Sequence, residues 1–327
     1  MPKSYLVTGG TGFLGSAFVT RLTRAGHRVR VLDNNSRGRS DRLRDVAGQY
    51  EFVEADIRDS EAVWKACHGM DSVCHLAYIN GTEFFYSKPD LVLDIAVTGM
   101  MNILNGCLRA GIGELVLASS SEVYQTPPVV PTDETVPLSV PDPLNPRYSY
   151  GGGKIICELL AVNYGRKHFE RVLIFRPHNV YGPDMGWEHV VPQFTLRMKE
   201  LCHQLDNPLP FPIQGSGEET RAFVYIDDFT DGLALMIEKG EHLGIYHIGT
   251  QEEITVRQVA EETARYFGRE IKIVPGRLQP GGTPRRCPDI TKLSQLGYTP
   301  KIPFGEGLQK AAQWYDENSH LQPMKGT

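Results

Sequence analysis

The sequence predicts an α/β fold, a doubly wound (Rossmann) parallel sheet with a smaller C-terminal substrate-binding lobe. Three observations predict it. Short apolar runs alternate with amphipathic stretches of helical length through the first half of the chain. Runs such as Leu115-Val-Leu-Ala118 and Val172-Leu-Ile-Phe175 are apolar throughout, as strands are when helices cover both faces of a parallel sheet. Three glycines, Gly9, Gly12 and Gly15, fall where the first apolar run gives way to the first amphipathic stretch, the punctuation of a strand-turn-helix unit. At 327 residues the chain suits one large α/β domain with a second, smaller lobe.

In chain order, the apolar runs predict strands over 4–8, 28–33, 50–54, 72–76, 114–119 and 171–176. The amphipathic stretches between them predict helices over 12–25, 60–67, 90–110 and 150–167. After Pro177 the pattern changes, because Gly182-Pro183, Pro192, Pro208, Pro210, Pro212 and Gly215 break the chain into short segments. Residues 1–179 with about 223–249 are therefore assigned to the sheet domain, and about 180–222 with 250–316 to the lobe. Residues 317–327 lack periodicity and are expected to form a flexible tail.

Composition excludes several classes. Hydrophobic residues make up 41% and charged residues 22%, which places the chain with ordinary globular proteins rather than disordered or fibrous ones. The formal charge is −5 with Lys and Arg scattered, so no nucleic-acid partner is expected. No apolar run approaches the ~20 residues of a membrane span, and no membrane partner is expected. Six widely spaced cysteines form no C-x-x-C pair. They read as reduced, buried thiols of a cytoplasmic protein, with no metal site.

The glycine set carries the first chemistry. Backbone amides at a helix start approach a pyrophosphate closely only where side chains are absent, and the helix dipole favours the anion. Asp33 ends the next predicted strand, where a carboxylate accepts hydrogen bonds from an adenosine ribose. It favours NAD over NADP, whose 2′-phosphate would meet a negative charge. Arg37 weakens that preference without reversing it.

Tyr150 and Lys154 are four residues apart, on one face of a helix. A nearby cation lowers a phenol pKa, so the tyrosine is expected to act as a base for a substrate hydroxyl. Ser119-Ser120-Ser121-Glu122-Val123-Tyr124 follows an apolar strand, at the carboxyl edge where open parallel sheets bind ligands. A serine hydroxyl there can hydrogen-bond the oxygen that Tyr150 deprotonates.

Together with His75-Leu-Ala77, His178-Asn-Val-Tyr-Gly-Pro183 and Thr220-Arg-Ala-Phe223, these motifs resemble the extended short-chain dehydrogenase/reductase family. Within it, the chain is similar to NAD-dependent nucleotide-sugar epimerases, dehydratases and decarboxylases, from Tyr5 to about Trp314. The resemblance implies that Tyr150 removes the sugar O4 proton, that Lys154 tunes it and holds the nicotinamide ribose, and that Ser120 binds O4. Hydride would pass from C4 to bound NAD, giving a 4-keto sugar. Gly9, Gly12, Phe13, Leu14, Gly15, Asp33, Asn34, Asp56, Ile57, Leu76, Ala77, Tyr150, Lys154 and Pro177 would hold the cofactor. Ser121, Asn179, Arg221, Arg286 and Asp289 would hold a nucleotide-diphosphate sugar. A homodimer through helices near Asp90 to Ala110 and Tyr150 to Lys167 is implied as well.

Glu122 bears on the step after oxidation. A 4-ketone acidifies C5–H, so a carboxylate there could remove that proton and expel a C6 hydroxyl or invert C5. The leading expectation is an epimerase/dehydratase acting through a 4-keto sugar, with NAD recycled. The alternative is a UDP-glucuronate decarboxylase-like enzyme of the UDP-xylose synthase type, because a 4-ketone makes a C6 carboxylate a β-keto acid. Arg285-Arg-Cys-Pro-Asp-Ile290 resembles the decarboxylases, whereas Asp184 stands where they carry an arginine. A net NAD(P)H-dependent reductase and a non-catalytic NAD-binding protein are the remaining classes. Ala96 and Tyr78 also depart from the family pattern. Gly151-Gly-Gly153 costs about 1 kcal/mol per glycine inside a helix and is read as room for cofactor or substrate, or as an irregular helix start.

Overall fold

The computed structural model describes residues 2–277 and 283–323. Seven parallel strands form the central sheet: β1 (Ser4–Thr8), β2 (Arg28–Asp33), β3 (Glu51–Glu54), β4 (Ser72–His75), β5 (Glu114–Ala118), β6 (Arg171–Pro177) and β7 (Gly244–Ile248). Their spatial order is β3-β2-β1-β4-β5-β6-β7. The direction of winding reverses between β1 and β4, which opens a crevice at their carboxyl ends. Tyr5 pairs with Val29 on one side and with Ser72 on the other.

Alternation along β1 explains the two-faced core. Tyr5 and Val7 belong to one buried cluster and Leu6 to the other, as the two-residue period of a strand requires. The first cluster runs without a break from Val7, Phe18 and Phe175 into Phe194, Phe211, Val259 and Leu308 of the lobe. The second, with Leu32, Val63, Ile103, Leu104 and Leu115, lies under the helices of the opposite face.

The helices that position the site are α1 (Phe13–Arg24), α2 (Ser60–Cys67), α3 (Pro89–Ala110), α4 (Ser149–His168) and α5 (Ile226–Lys239). The structure corrects one expectation about α3. It is 22 residues long and apolar enough to match a membrane span, and half of its apolar window is buried in the fold. It packs against α2 and α4, so its apolar character serves the core. A π turn over Ile95–Gly99 interrupts it where a Cβ at Gly99 would overlap Ile57. Asn102 then donates to the Ile57 and Arg58 carbonyls at 3.0 and 2.8 Å, pinning the loop after β3.

Strand β7 is not among the predicted strands, since Gly244-Ile-Tyr-His-Ile248 mixes glycine and histidine into a short run. It pairs with β6 from Gly244↔Leu173 to Ile248↔Pro177. In the lobe, Leu209–Ile213 pairs with Ile271–Pro275, and Thr220–Ala222 lies between Glu253–Thr255 and Arg285–Arg286. The segment read as a tail begins within the helix Phe304–Glu317 and adds a helical turn over Ser319–Leu321, where Ser319 Oγ accepts from Lys199 at 3.0 Å. Residues 324–327 lie outside the described ones.

A buried polar chain crosses the sheet edge. Arg176 clamps Glu158 with bonds of 2.9 and 2.6 Å, and Ser119 donates to the same carboxylate. Arg176 also reaches Tyr124, whose hydroxyl meets His247 Nε2 at 2.7 Å, and His247 Nδ1 meets the Asp289 carbonyl at 3.0 Å.

Burial also fixes the charge state of three histidines. His75, His178 and His247 are 3%, 1% and 0% exposed. Burial pushes His75 down to about 3 and His247 down to about 4, and holds His178 well below its ordinary value. An unfolded histidine titrates near pH ~6.5, so below that pH the unfolded chain takes up protons that the folded chain refuses. The stability they contribute is complete above the unfolded value and is lost as pH falls toward the folded ones. Denaturant unfolding at pH 7, 6 and 5 is expected to lose about 1.4 kcal/mol per pH unit for each histidine below pH ~6. His178→Phe should remove one histidine's share of that slope, because neither His178 ring nitrogen has a hydrogen-bond partner among the described residues.

Candidate active site

The first site element is a cradle that only glycine fits. Gly9 has φ +72°, and a Cβ there would stand 2.6 Å from the Ala77 nitrogen. A Cβ at Gly15 would overlap the Gly9 carbonyl oxygen, and one at Gly12 would lie 3.2 Å from it. Helix α1 starts at Gly12 with no side-chain cap, so its first amides remain available to an anion. This cradle fits a dinucleotide pyrophosphate.

A cavity of about 920 Å³ opens over these amides at the carboxyl ends of the strands. Every residue predicted for the dinucleotide, from Gly9 to Pro177, lines it. At the adenosine end, the Asp33 carboxylate accepts from the Thr11 and Asn35 amides at 3.0 and 2.9 Å, which fixes its orientation. Asn34 donates to Asp56 at 3.0 Å. Hydrogen bonds from Arg58 hold the Asp56 carboxyl down at about 2. Arg37 is turned away from Asp33: it lies 4.8 Å over the Phe84 ring and 3.7 Å from Glu188.

The catalytic candidates meet deeper in the same cavity. Ser120 caps the short turn Ser121–Tyr124, accepting from the Glu122 amide at 3.1 Å. Its hydroxyl also acts on the Tyr150 phenol, in the direction that favours the phenolate. Burial outweighs that effect and pushes Tyr150 up to about 12. The expected lowering of Tyr150 by Lys154 is not what this geometry shows. Lys154 Nζ instead donates to the Ala118 carbonyl at 2.8 Å and sits 3.9 Å over the Tyr78 ring. Burial pushes Lys154 down to about 8.

The glycines of α4 make room for protein groups rather than for a ligand, which corrects the sequence reading. A Cβ at Gly153 would overlap the Tyr78 hydroxyl, and one at Gly151 would overlap Gln125 and stand 2.8 Å from the Glu122 carbonyl oxygen. The helix is regular through them.

The substrate end is cationic. Arg286 donates to Glu122 at 2.6 Å, and Arg147 lies 4.0 Å from the same carboxylate. Burial raises the Glu122 carboxyl, but Arg286, Arg147 and Arg221 outweigh it and hold it below its ordinary value. Burial, with Arg286 nearby, pushes Arg221 down to about 10. Arg286, Arg221, Asn179 and Ser121 line the cavity as expected, with Asn179 at φ +39° donating to the Ala222 carbonyl at 3.4 Å.

Asp289 does not belong with them. Its carboxylate caps Thr291 at 2.8 Å at the start of the short helix Thr291–Ser294, away from the cavity lining. Asp184, in place of the family arginine, pairs with Arg39 at 2.7 Å and Arg42 at 3.1 Å. Sequence reasoning missed Arg147 and the contact of Tyr78 with Lys154. The signal for Arg147 was its position in the turn Pro146–Tyr148, immediately before α4.

The chain matches the model of the NAD dependent epimerase/dehydratase family over residues 5–249. It is 30% identical to UDP-N-acetyl-alpha-D-glucosaminuronate decarboxylase of Bacillus cytotoxicus, covering 97% of this chain and 99% of that one. It is 32% identical to UDP-glucuronic acid decarboxylase 5 of Arabidopsis thaliana, covering 93% and 86%. The crystal structure of DesIV, a dTDP-glucose 4,6-dehydratase from Streptomyces venezuelae with NAD bound, superposes with TM-score 0.85 at 29% identity, covering 97% and 98%. With the glycine cradle, the Ser120–Tyr150–Lys154 arrangement and a match of this extent, the chain belongs to the NAD dependent epimerase/dehydratase family.

Proposed function

We propose that the protein oxidises a nucleotide-diphosphate sugar at C4 and then, through Glu122, removes a proton from the neighbouring C5 of the 4-keto sugar, leading to dehydration or epimerisation. NAD, which the Gly9, Gly12 and Gly15 cradle and Asp33 would hold, would supply a recyclable hydride acceptor for C4. Ser120 orients the sugar O4, and Tyr150 accepts its proton. Lys154 places a positive charge beside the forming alkoxide. The observation that carries the reading is Glu122, which lines the cavity that Ser120 and Tyr150 also line, on the turn that Ser120 caps. A simple C4 inversion needs no such carboxylate.

A second reading, decarboxylation of a nucleotide-uronate, is favoured by charge. Arg147, Arg221 and Arg286 gather around the single carboxylate of Glu122, leaving positive charge for a diphosphate and for a sugar carboxylate. Two relatives named above are decarboxylases of such sugars. Incubating the purified protein with UDP-, GDP-, CDP- and dTDP-sugars and uronates, with products read by mass spectrometry, separates these outcomes. Loss of water marks dehydration, loss of carbon dioxide marks decarboxylation, and an unchanged mass with new retention marks epimerisation. No turnover on any member would overturn both readings.

The assembly is proposed to be a homodimer. Leu93 and Val97 on α3 and Ile156 and Leu159 on α4 stand 38%, 38%, 38% and 58% exposed, an apolar face at helical spacing that a second copy would cover. Sedimentation is expected to give a dimer, and Leu159→Glu a monomer.

A further inference from the structure

Lys154 is buried, and among the described residues the carboxylate that acts on it, Glu158, is already committed to other partners. From its own helix stand Tyr150, Cys157 and Glu158, from the end of β4 His75, and from β5 the Ala118 carbonyl. Glu158 is clamped by Arg176 and also accepts from the Ser119 hydroxyl. Burial keeps His75 neutral, and it pushes the Cys157 thiol up to about 11, so that group is neutral as well. What remains is the face of Tyr78, with the ammonium 3.9 Å from the ring centroid, well inside the ~6 Å reach of a cation–π contact.

The same ring touches the other half of the machinery. Tyr78 meets Tyr150 edge-on, with centroids 5.1 Å apart and planes at 90°. Its hydroxyl is buried with no hydrogen-bond partner among the described residues, so the hydroxyl does not explain the residue. Gly153 does explain how the ring fits, because any side chain there would overlap that hydroxyl. Tyr78 and Gly153 are thus one feature.

We propose that Tyr78 is a positioning residue for Lys154 and Tyr150: its ring face holds the buried ammonium in its charged form, and its perpendicular contact fixes the phenol. The proposal rests on the roles given to Lys154 and Tyr150 above. Tyr78 itself stays neutral, since burial raises its phenol well above the ordinary value.

The test tracks the Lys154 ammonium directly. Holoenzyme carrying ¹³C at lysine Cε is titrated by NMR, with the Lys154 signal assigned by its loss in Lys154→Met. Tyr78→Phe, which keeps the ring, is expected to leave the Lys154 midpoint unchanged. Tyr78→Leu is expected to lower it by about one pH unit, the size of a desolvated cation–π contact. Trifluorophenylalanine at position 78 keeps the shape but weakens the ring quadrupole, and should lower the midpoint by about half as much. That variant decides the question even if Tyr78→Leu does not fold. On any sugar the protein turns over, the alkaline limb of the kcat profile should move by the same amounts.

A midpoint unmoved by the fluorinated ring would overturn the proposal, as would a Tyr78→Phe shift equal to that of Tyr78→Leu. The titration needs no sugar, so it stands apart from the catalytic reading. Full activity in Tyr150→Phe would sink that reading and leave the Lys154 titration as it is.

Discussion

Tyr150→Phe is expected to lower turnover about a thousandfold, with KM for the nucleotide sugar changed by less than about threefold. The substitution removes one oxygen and little else. The ring keeps its stacked contact with Phe85, at 4.9 Å and 29°, and its edge contact with Tyr78. Ser120 retains its bond from the Glu122 amide. What disappears is the acceptor for the O4 proton. Since burial holds Tyr150 at about 12 in the protein alone, most molecules carry a protonated phenol at neutral pH. Turnover of the parent enzyme should therefore rise with pH until the Lys154 ammonium begins to titrate. Single-turnover measurements across pH check both statements. A Tyr150→Phe enzyme that keeps this rise would show that another group takes the proton.

Glu122→Gln is expected to divide the reaction in two. Oxidation at C4 should persist, because Ser120, Tyr150 and Lys154 are untouched, while the step at C5 or C6 falls about a hundredfold or more. The readout is a single turnover: 4-keto sugar should build up only to the amount of enzyme, matched by reduced cofactor, and exchange of C5–H with deuterated solvent should stop. The charge balance shifts as well. Arg286, no longer paired with a carboxylate at 2.6 Å, is released toward the substrate, so KM for an anionic sugar nucleotide should fall. Undiminished exchange at C5 in this variant would remove Glu122 from the mechanism.

Much of the fold was legible because its signals are local. Continuous apolar runs such as Leu115 to Ala118 announce strands covered on both faces, and Gly9, Gly12 and Gly15 announce a turn that tolerates no side chain. That Asp33, Ser120, Tyr150 and Lys154 would line one cavity was legible for a similar reason: each is placed by its neighbours in sequence. What escaped depends on contacts between distant segments. Arg286 was assigned to a diphosphate, yet it pairs with Glu122, far from it in the chain. Asp289 was assigned to the same substrate but accepts from the Thr291 amide beside it. Gly153 looked like space for a ligand, because nothing nearby in sequence reveals that Tyr78 fills that space. Strand β7 escaped because its burial comes from β6 and α5 rather than from its own apolar content.

The unbroken buried cluster from Val7 through Phe175 to Phe211 and Leu308 bears on how such a chain can diversify. A lobe with its own core could be exchanged as a cassette, bringing a new sugar preference with it. Here a graft ending near residue 180 would leave raw hydrophobic surface on both pieces. New specificity in this scaffold is therefore expected to come from point changes along the cavity wall, at positions such as Arg147, Arg221 and Arg286, with the whole chain inherited as one piece.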